Sequence, residues 1–195
     1  MLDIELAVLK RAGGNAPSLR SMASSSAGLP GDELLPAATM VFDRSAVIDA
    51  PPQDVWPWLV QLGKQRAGWY LPGRVERLLP PGRRASRAVE PRWQSIAVGE
   101  RIPDYGGREG YLEVAAIDPP HALVYRSERG GGRFTWALLL TARSGTQTTV
   151  RLRFRGQLKS RGVRQRAIIT GGDFFDWATT ALMLRGLNER VRSHP

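Results

Sequence analysis

The chain has 195 residues, no cysteine, two histidines and a formal net charge of +10. A chain of this length favours one domain that buries roughly 70% of its unfolded surface, so it needs neither metal nor disulfide to fold. The lack of cysteine excludes disulfides, thiolate nucleophiles and cysteine-ligated metal sites; no cofactor is expected, and a cytoplasmic setting is.

Residues 1 to 38 read as a flexible arm. Leu2, Leu6 and Leu9 give a short amphipathic stretch, Gly13-Gly14-Asn15 breaks it, and Ser21 to Gly28 is a small-residue tract. That composition cannot bury enough apolar surface to order itself. No basic segment with an apolar stretch and a small-residue cleavage site follows Met1, so no secretory signal is read. The domain, residues 39–195, opens with a strand over Met40 to Asp49. Pro51-Pro52 then starts a helix whose apolar face is Val55, Trp56, Leu59, Val60 and Leu62, ended by Gly63. A turn at Ala67-Gly68, a short helix around Val75 to Leu79 and a loop through Pro80-Pro81-Gly82 follow.

Strands are expected near 99–105, 110–118, 122–129, 133–142 and 147–157, separated by Gly106-Gly107, Pro119-Pro120, Gly130-Gly131-Gly132 and Ser144-Gly145. Short strands joined by turns make an antiparallel meander. Phe134, Trp136, Leu138 and Leu140 alternate with Thr135, Ala137, Leu139 and Thr141. Val150, Leu152 and Phe154 alternate with Arg151, Arg153 and Arg155, so one face is covered and the arginines meet water. The cover is a last helix, capped by Thr170 with Asp173 three residues on, carrying Phe174, Trp177, Ala178, Ala181, Leu184, Leu187 and Val191 at helical spacing. The small Ala178 and Ala181 leave room beneath it. The fold class is therefore α+β: a curved antiparallel sheet wrapped around a long C-terminal helix, with a short helix pair after the first strand.

The stretch 48–70, IDAPPQDVWPWLVQLGKQRAGWY, resembles the start of the SRPBCC superfamily, the START-like or helix-grip proteins that include polyketide cyclase/dehydratase-like members. LPGDELLP at 29–36, EPRWQSIAVGERI at 90–102, DPPHALVYRSE at 118–128 and FTWALLL at 134–140 extend the resemblance over about residues 29 to 192. It implies a cavity between sheet and terminal helix. Relatives use that cavity for lipids, hormones, polyketides and aromatic compounds. The matching motifs shape a strand-to-helix corner and carry no catalytic residue, so none is transferred.

The candidate ligand-binding residues are Trp69, Tyr70, Tyr105, Tyr125, Trp136, Phe154, Phe174, Trp177 and Ala181. Trp69 and Tyr70 sit after a helix break, where core packing is less obligatory. Tyr105 and Tyr125 offer phenols that could hold a carbonyl, and Asp104 stands with Tyr105 at a strand end. Asp173 and Asp176 read as carboxylates favoured by a helix start. His121 follows a Pro-Pro turn and His194 is next to the end, so neither a catalytic dyad nor a metal pair forms. Three functions are weighed. The first is a binding module for a small apolar or aromatic molecule; the second is a polyketide cyclase/dehydratase-like enzyme using the same cavity. The third is a basic surface protein touching nucleic acid or anionic lipid. Lysine occurs only at 10, 64 and 159 and the arginines are dispersed, which weighs against a nucleic-acid partner. No apolar run approaches the roughly 20 residues of a transmembrane helix.

Overall fold

A computed structural model describes residues 28–104, 110–158 and 162–193, with only the backbone described for 162–169, 172, 174 and 175. Six strands form one antiparallel sheet: β1 Met40–Ile48, β2 Arg101–Pro103, β3 Tyr111–Asp118, β4 Ala122–Arg129, β5 Gly132–Ser144 and β6 Gln147–Gln157. Their spatial order is β1-β6-β5-β4-β3-β2. Strands β2 to β6 therefore run as a meander, and β1 closes on β6 across most of the chain. The β4–β5 hairpin turns on two residues, Gly130 and Gly131, at φ +56° and +73°. Two successive positive φ values define the tight turn that matches strand twist, and glycine adopts them without a steric penalty.

Helix α1, Pro52–Val60, starts with its proline in the first turn and presents Val55, Trp58 and Leu59 to the sheet. Helix α2 is the single turn Gly73–Glu76. Helix α3, Gly162–Arg192, is 31 residues long. It begins eight positions before the expected start at Thr170. The Gly171-Gly172 pair and the Thr170/Asp173 spacing imitate a helix start, but the helix runs through them. Interior glycine costs about 1 kcal/mol. Contacts from Arg44 on β1 to the carbonyl and carboxylate of Asp173 help to hold this part.

The two faces of the sheet are buried differently. On the inner face, Leu123, Tyr125, Leu138, Leu140, Val150 and Leu152 join Val55, Trp58, Leu59, Met183, Leu184, Leu187 and Val191 in one core cluster. Each fully buried aliphatic side chain there is worth about 1.5–3 kcal/mol. On the outer face, Ala122, Val124, Ala137 and Leu139 are covered by Leu29 and Leu34. Residues 28 to 38, placed in the arm by the sequence reading, thus lie across the back of the sheet, with Leu35 only 2% exposed.

That strap changes the reading of the strand β6 arginines. They do lie on the outer face, but Arg153 and Arg155 do not meet open water. Arg153 pairs with Asp32 at 3.0 Å and Asp43 at 2.8 Å, while Arg155 pairs with Asp32 at 3.1 Å and donates to the Leu35 carbonyl at 2.9 Å. Asp32 lies 121 residues before Arg153, so no local pattern announces the pairing.

The C-terminal half of α3 is locked by a buried ion pair. Arg190 is 0% exposed and its guanidinium meets the Glu76 carboxylate. It also donates to the carbonyls of Ser86 at 2.8 Å, Leu71 at 3.1 Å and Gly186 at 3.0 Å, and stacks over the Tyr70 ring. This clamp fixes the loop after Tyr70 against the helix.

Candidate functional site

Cross-strand register builds the site from the inner face. Tyr125 on β4 is paired with Trp136 on β5, Trp136 with Phe154 on β6, and Phe154 with Phe42 on β1. Directly opposed residues of antiparallel strands share a face, so these four rings form one row across the sheet. Tyr125 stacks on Trp136 at 5.9 Å between centroids, and Phe154 stacks on Phe42 at 6.1 Å and Phe134 at 5.6 Å. Trp69 enters from the loop after α1 and stacks on the Trp136 ring at 5.9 Å. Its indole N–H reaches the Thr179 carbonyl of α3 at 3.4 Å. Trp69, Trp136 and Tyr125 thus form a three-ring stack running from helix to sheet.

The stack ends on polar atoms. Tyr125 is 1% exposed, and its hydroxyl has no hydrogen-bond partner among the described residues. The hydroxyl of Ser127, two residues along the same strand and so on the same face, is likewise buried and unpartnered. Burial, partly offset by the charge of Arg66, pushes the Tyr125 phenol well above its ordinary pKa. It therefore stays protonated and is a hydrogen-bond donor at any physiological pH. A buried polar group without a partner costs about 1–3 kcal/mol, which is unusual enough in a folded protein to call for a reason.

A second polar group lies where β1 meets α3. Arg44 is registered with Leu152, so its side chain leaves the inner face of the sheet. It pairs with the Asp173 carboxylate, and its Nε stands 3.5 Å from Asp176. Desolvation by burial pushes the Asp176 carboxyl up to about 6, against the pull of Arg44 and with some help from Asp173. Sequence reading gave both aspartates to a helix start. They stand inside a continuous helix, and Arg44, their partner, was missed because an arginine in an otherwise apolar β1 face has no local signal of what it meets.

The remaining expected site residues fall in several places. Tyr70 is fully buried in the core: its hydroxyl donates to the Trp58 carbonyl at 2.8 Å and accepts from Gln61 at 3.1 Å. Trp177 is 41% exposed, and Ala181 is half-buried. The buried stripe of α3 runs through Thr180, Met183, Leu184, Leu187 and Val191. Tyr105 and the side chain of Phe174 lie outside the described residues. Asp104, beside Tyr105, is paired with Arg129.

Two hollows flank this part of the fold; the first reaches Ser127 and Phe134. One, about 390 Å³, runs under the strap and is lined by Leu34, Glu113, Arg126 and Thr135. The other, about 440 Å³, lies beside α1 and is lined by Trp56, Gln94, Ile96 and Ile117. Glu113 is engaged by Arg101 and Arg126, and Gln94 by Gln61 and the Pro57 carbonyl, while Ser127, which also lines the first hollow, keeps its unpartnered hydroxyl. The unsatisfied hydroxyls thus lie at the end of the stack, Tyr125 within it and Ser127 where it borders the first hollow.

The element order and topology are now complete: strand, helix pair, antiparallel meander closing on β1, long terminal helix. The fold is a helix grip, a curved antiparallel sheet folded around the long terminal helix. No protein-family model and no curated protein matches the chain. Solved structures that are similar to it include a Mesorhizobium loti protein, 19% identical over 80% of this chain and 98% of that one, with a TM-score of 0.47. Norcoclaurine synthase from Thalictrum flavum, solved with dopamine and hydroxybenzaldehyde, is 14% identical over 80% of this chain and 87% of its own, with a TM-score of 0.48. An Hsp90 activator from Plasmodium falciparum is 16% identical over 80% and 98%, with a TM-score of 0.48. No helix among the described residues is long and apolar enough to cross a membrane.

Proposed function

We propose that the helix grip binds a small apolar or aromatic molecule between the inner sheet face and α3. Trp69, Trp136 and Phe154 give the ligand flat apolar surface, and Tyr125 orients it. Trp177 would add to the enclosure from α3. The observation that carries this reading is the buried Tyr125 hydroxyl with no partner among the described residues. A ligand carbonyl or phenol accepting its proton removes the desolvation cost and gains a hydrogen bond in a low-dielectric site. The absence of cysteine suits a reducing cytoplasm, where the protein is expected to work.

The Tyr125→Phe variant tests this. It deletes the buried hydroxyl and leaves the ring stack intact. Stability of the ligand-free protein is expected to hold or rise by about 1 kcal/mol, because an unpartnered polar atom is removed. Retention of co-purifying small molecules, read by mass spectrometry, is expected to fall about tenfold. A variant that melts clearly below the parent shows that the hydroxyl is satisfied within the fold, and the reading fails.

Asp176 supports a second reading, a cyclase or dehydratase-like enzyme in the same space. A carboxyl near pH 6 beside an arginine can give or take a proton close to neutrality, which is what general acid–base chemistry requires. Loss of turnover in Asp176→Asn with ligand binding kept would favour the enzyme; unchanged turnover would remove Asp176 from it.

A further inference from the structure

The segment that follows Tyr70 carries chemistry the interior does not use. Between Gly73 and Val89 the chain holds five arginines, at 74, 77, 83, 84 and 87, and one carboxylate, Glu76. Glu76 is buried and committed to Arg190 and Arg87. Arg74, Arg77, Arg83 and Arg84 are exposed and take part in no ion pair among the described residues. In their midst Leu78 is 83% exposed, followed by exposed Pro80, Pro81 and Gly82.

The exposure is built in. Helix α2 is fastened to α3 through Glu76. The turn after it is closed by bonds from Leu78 N to the Val75 carbonyl and Leu79 N to the Glu76 carbonyl, both 3.0 Å. Arg84 then reaches back to the Leu79 carbonyl at 3.0 Å and the Arg77 carbonyl at 3.3 Å. The result is a stiff knob that holds Leu78 outward.

A single exposed leucine is ordinary on a protein surface. One set among four uncompensated guanidinium groups has the two parts that bind an anionic bilayer: cations drawn to headgroups, and an apolar side chain that enters the acyl boundary. We infer that the knob from Arg74 to Arg84 is a docking surface for an anionic lipid bilayer, with Leu78 as the inserting side chain. Nucleic acid fits less well, because residues 73 to 90 contain no aromatic ring on which a base could stack. The inference does not depend on the binding reading above. Docking would, however, bring the loop that carries Trp69 close to the lipid.

Flotation with two vesicle types tests it: phosphatidylcholine alone, and phosphatidylcholine with one third phosphatidylserine. The parent protein is expected to float with the anionic vesicles only, and to be released by salt. Leu78→Ser is expected to weaken the partition roughly tenfold. The Arg74→Gln/Arg77→Gln/Arg83→Gln variant is expected to weaken it roughly a hundredfold, from about a fivefold loss per arginine. All three side chains are on the surface, so melting temperatures should match the parent. The inference is overturned if the parent binds neither vesicle or both equally. It is also overturned if either variant floats like the parent, or if a fluorescent single-stranded RNA binds and anionic vesicles do not. Failure here leaves the Tyr125→Phe test untouched, since that reads co-purifying molecules and stability in solution.

Discussion

Replacing Arg190 with methionine removes the clamp between α3 and the α2 loop while keeping a long, unbranched side chain. The guanidinium is fully buried and, among the described residues, meets the Glu76 carboxylate, the carbonyls of Leu71, Ser86 and Gly186, and the Tyr70 ring. The Gly186 carbonyl has a helical donor of its own, so its loss counts for little. Two loop carbonyls lose a charged donor, and the Glu76 side chain, 3% exposed, keeps among the described residues the ion pair with Arg87, which is half in solvent. Leaving a buried charge with so little compensation costs about 3–5 kcal/mol. For a chain of this size that lowers the melting temperature by roughly 6–20 °C. Urea unfolding followed by tryptophan fluorescence measures it directly. The double variant Arg190→Met/Glu76→Gln should recover part of the loss, because the orphaned carboxylate is gone, with a coupling of about 1–3 kcal/mol. A single variant costing less than about 1 kcal/mol, or a double variant whose effects simply add, would refute the view that charge compensation holds this junction.

Other outcomes follow from the same geometry. Gly186→Ala should cost at least about 2 kcal/mol in urea unfolding, since an added Cβ would stand 2.6–2.7 Å from the Leu71 backbone, which cannot rotate aside. Leu35→Ala should lose about 2–3 kcal/mol, because the strap's leucine is buried against the sheet; a neutral result would return residues 28 to 38 to the status of a loose arm. Asp176 has a folded carboxyl pKa of about 6 against a usual 3.8. The native state therefore binds more protons than the unfolded chain between those values. Its contribution is fully present below about pH 4 and is lost as the pH rises through about 6, up to ~3 kcal/mol. Unfolding measured at about pH 4.5 and about pH 7 in Asp176→Asn should show that part of the slope removed.

Much of the fold was legible because its signals are local. Period-two alternation in Phe134 to Leu140 and Val150 to Phe154 set the inward row, and Gly130-Gly131 set the β4–β5 turn. The edges of β3, β4 and β6 fell within a residue of the expected spans. The start of α3 was misjudged because glycines and a capping pattern are local signals too, and contacts made by Arg44, more than 120 residues earlier, outweigh them. The site was half legible. Trp136, Tyr125 and Phe154 share a face by register alone, since pleating leaves a strand residue only two choices. Trp69 and Tyr70 are neighbours in sequence, and nothing local separates a ring that stacks on Trp136 from one that bonds to the Trp58 carbonyl. Arg44 with Asp176, Asp32 with Arg153, and Glu76 with Arg190 are pairs whose partners lie more than a hundred residues apart. Sequence determined which elements form and which face of each is apolar, because those depend on periodicity and turn chemistry. Tertiary structure alone decided which charges meet, which hydroxyl is left without a partner and what lies across the back of the sheet, because those depend on where distant segments are brought together.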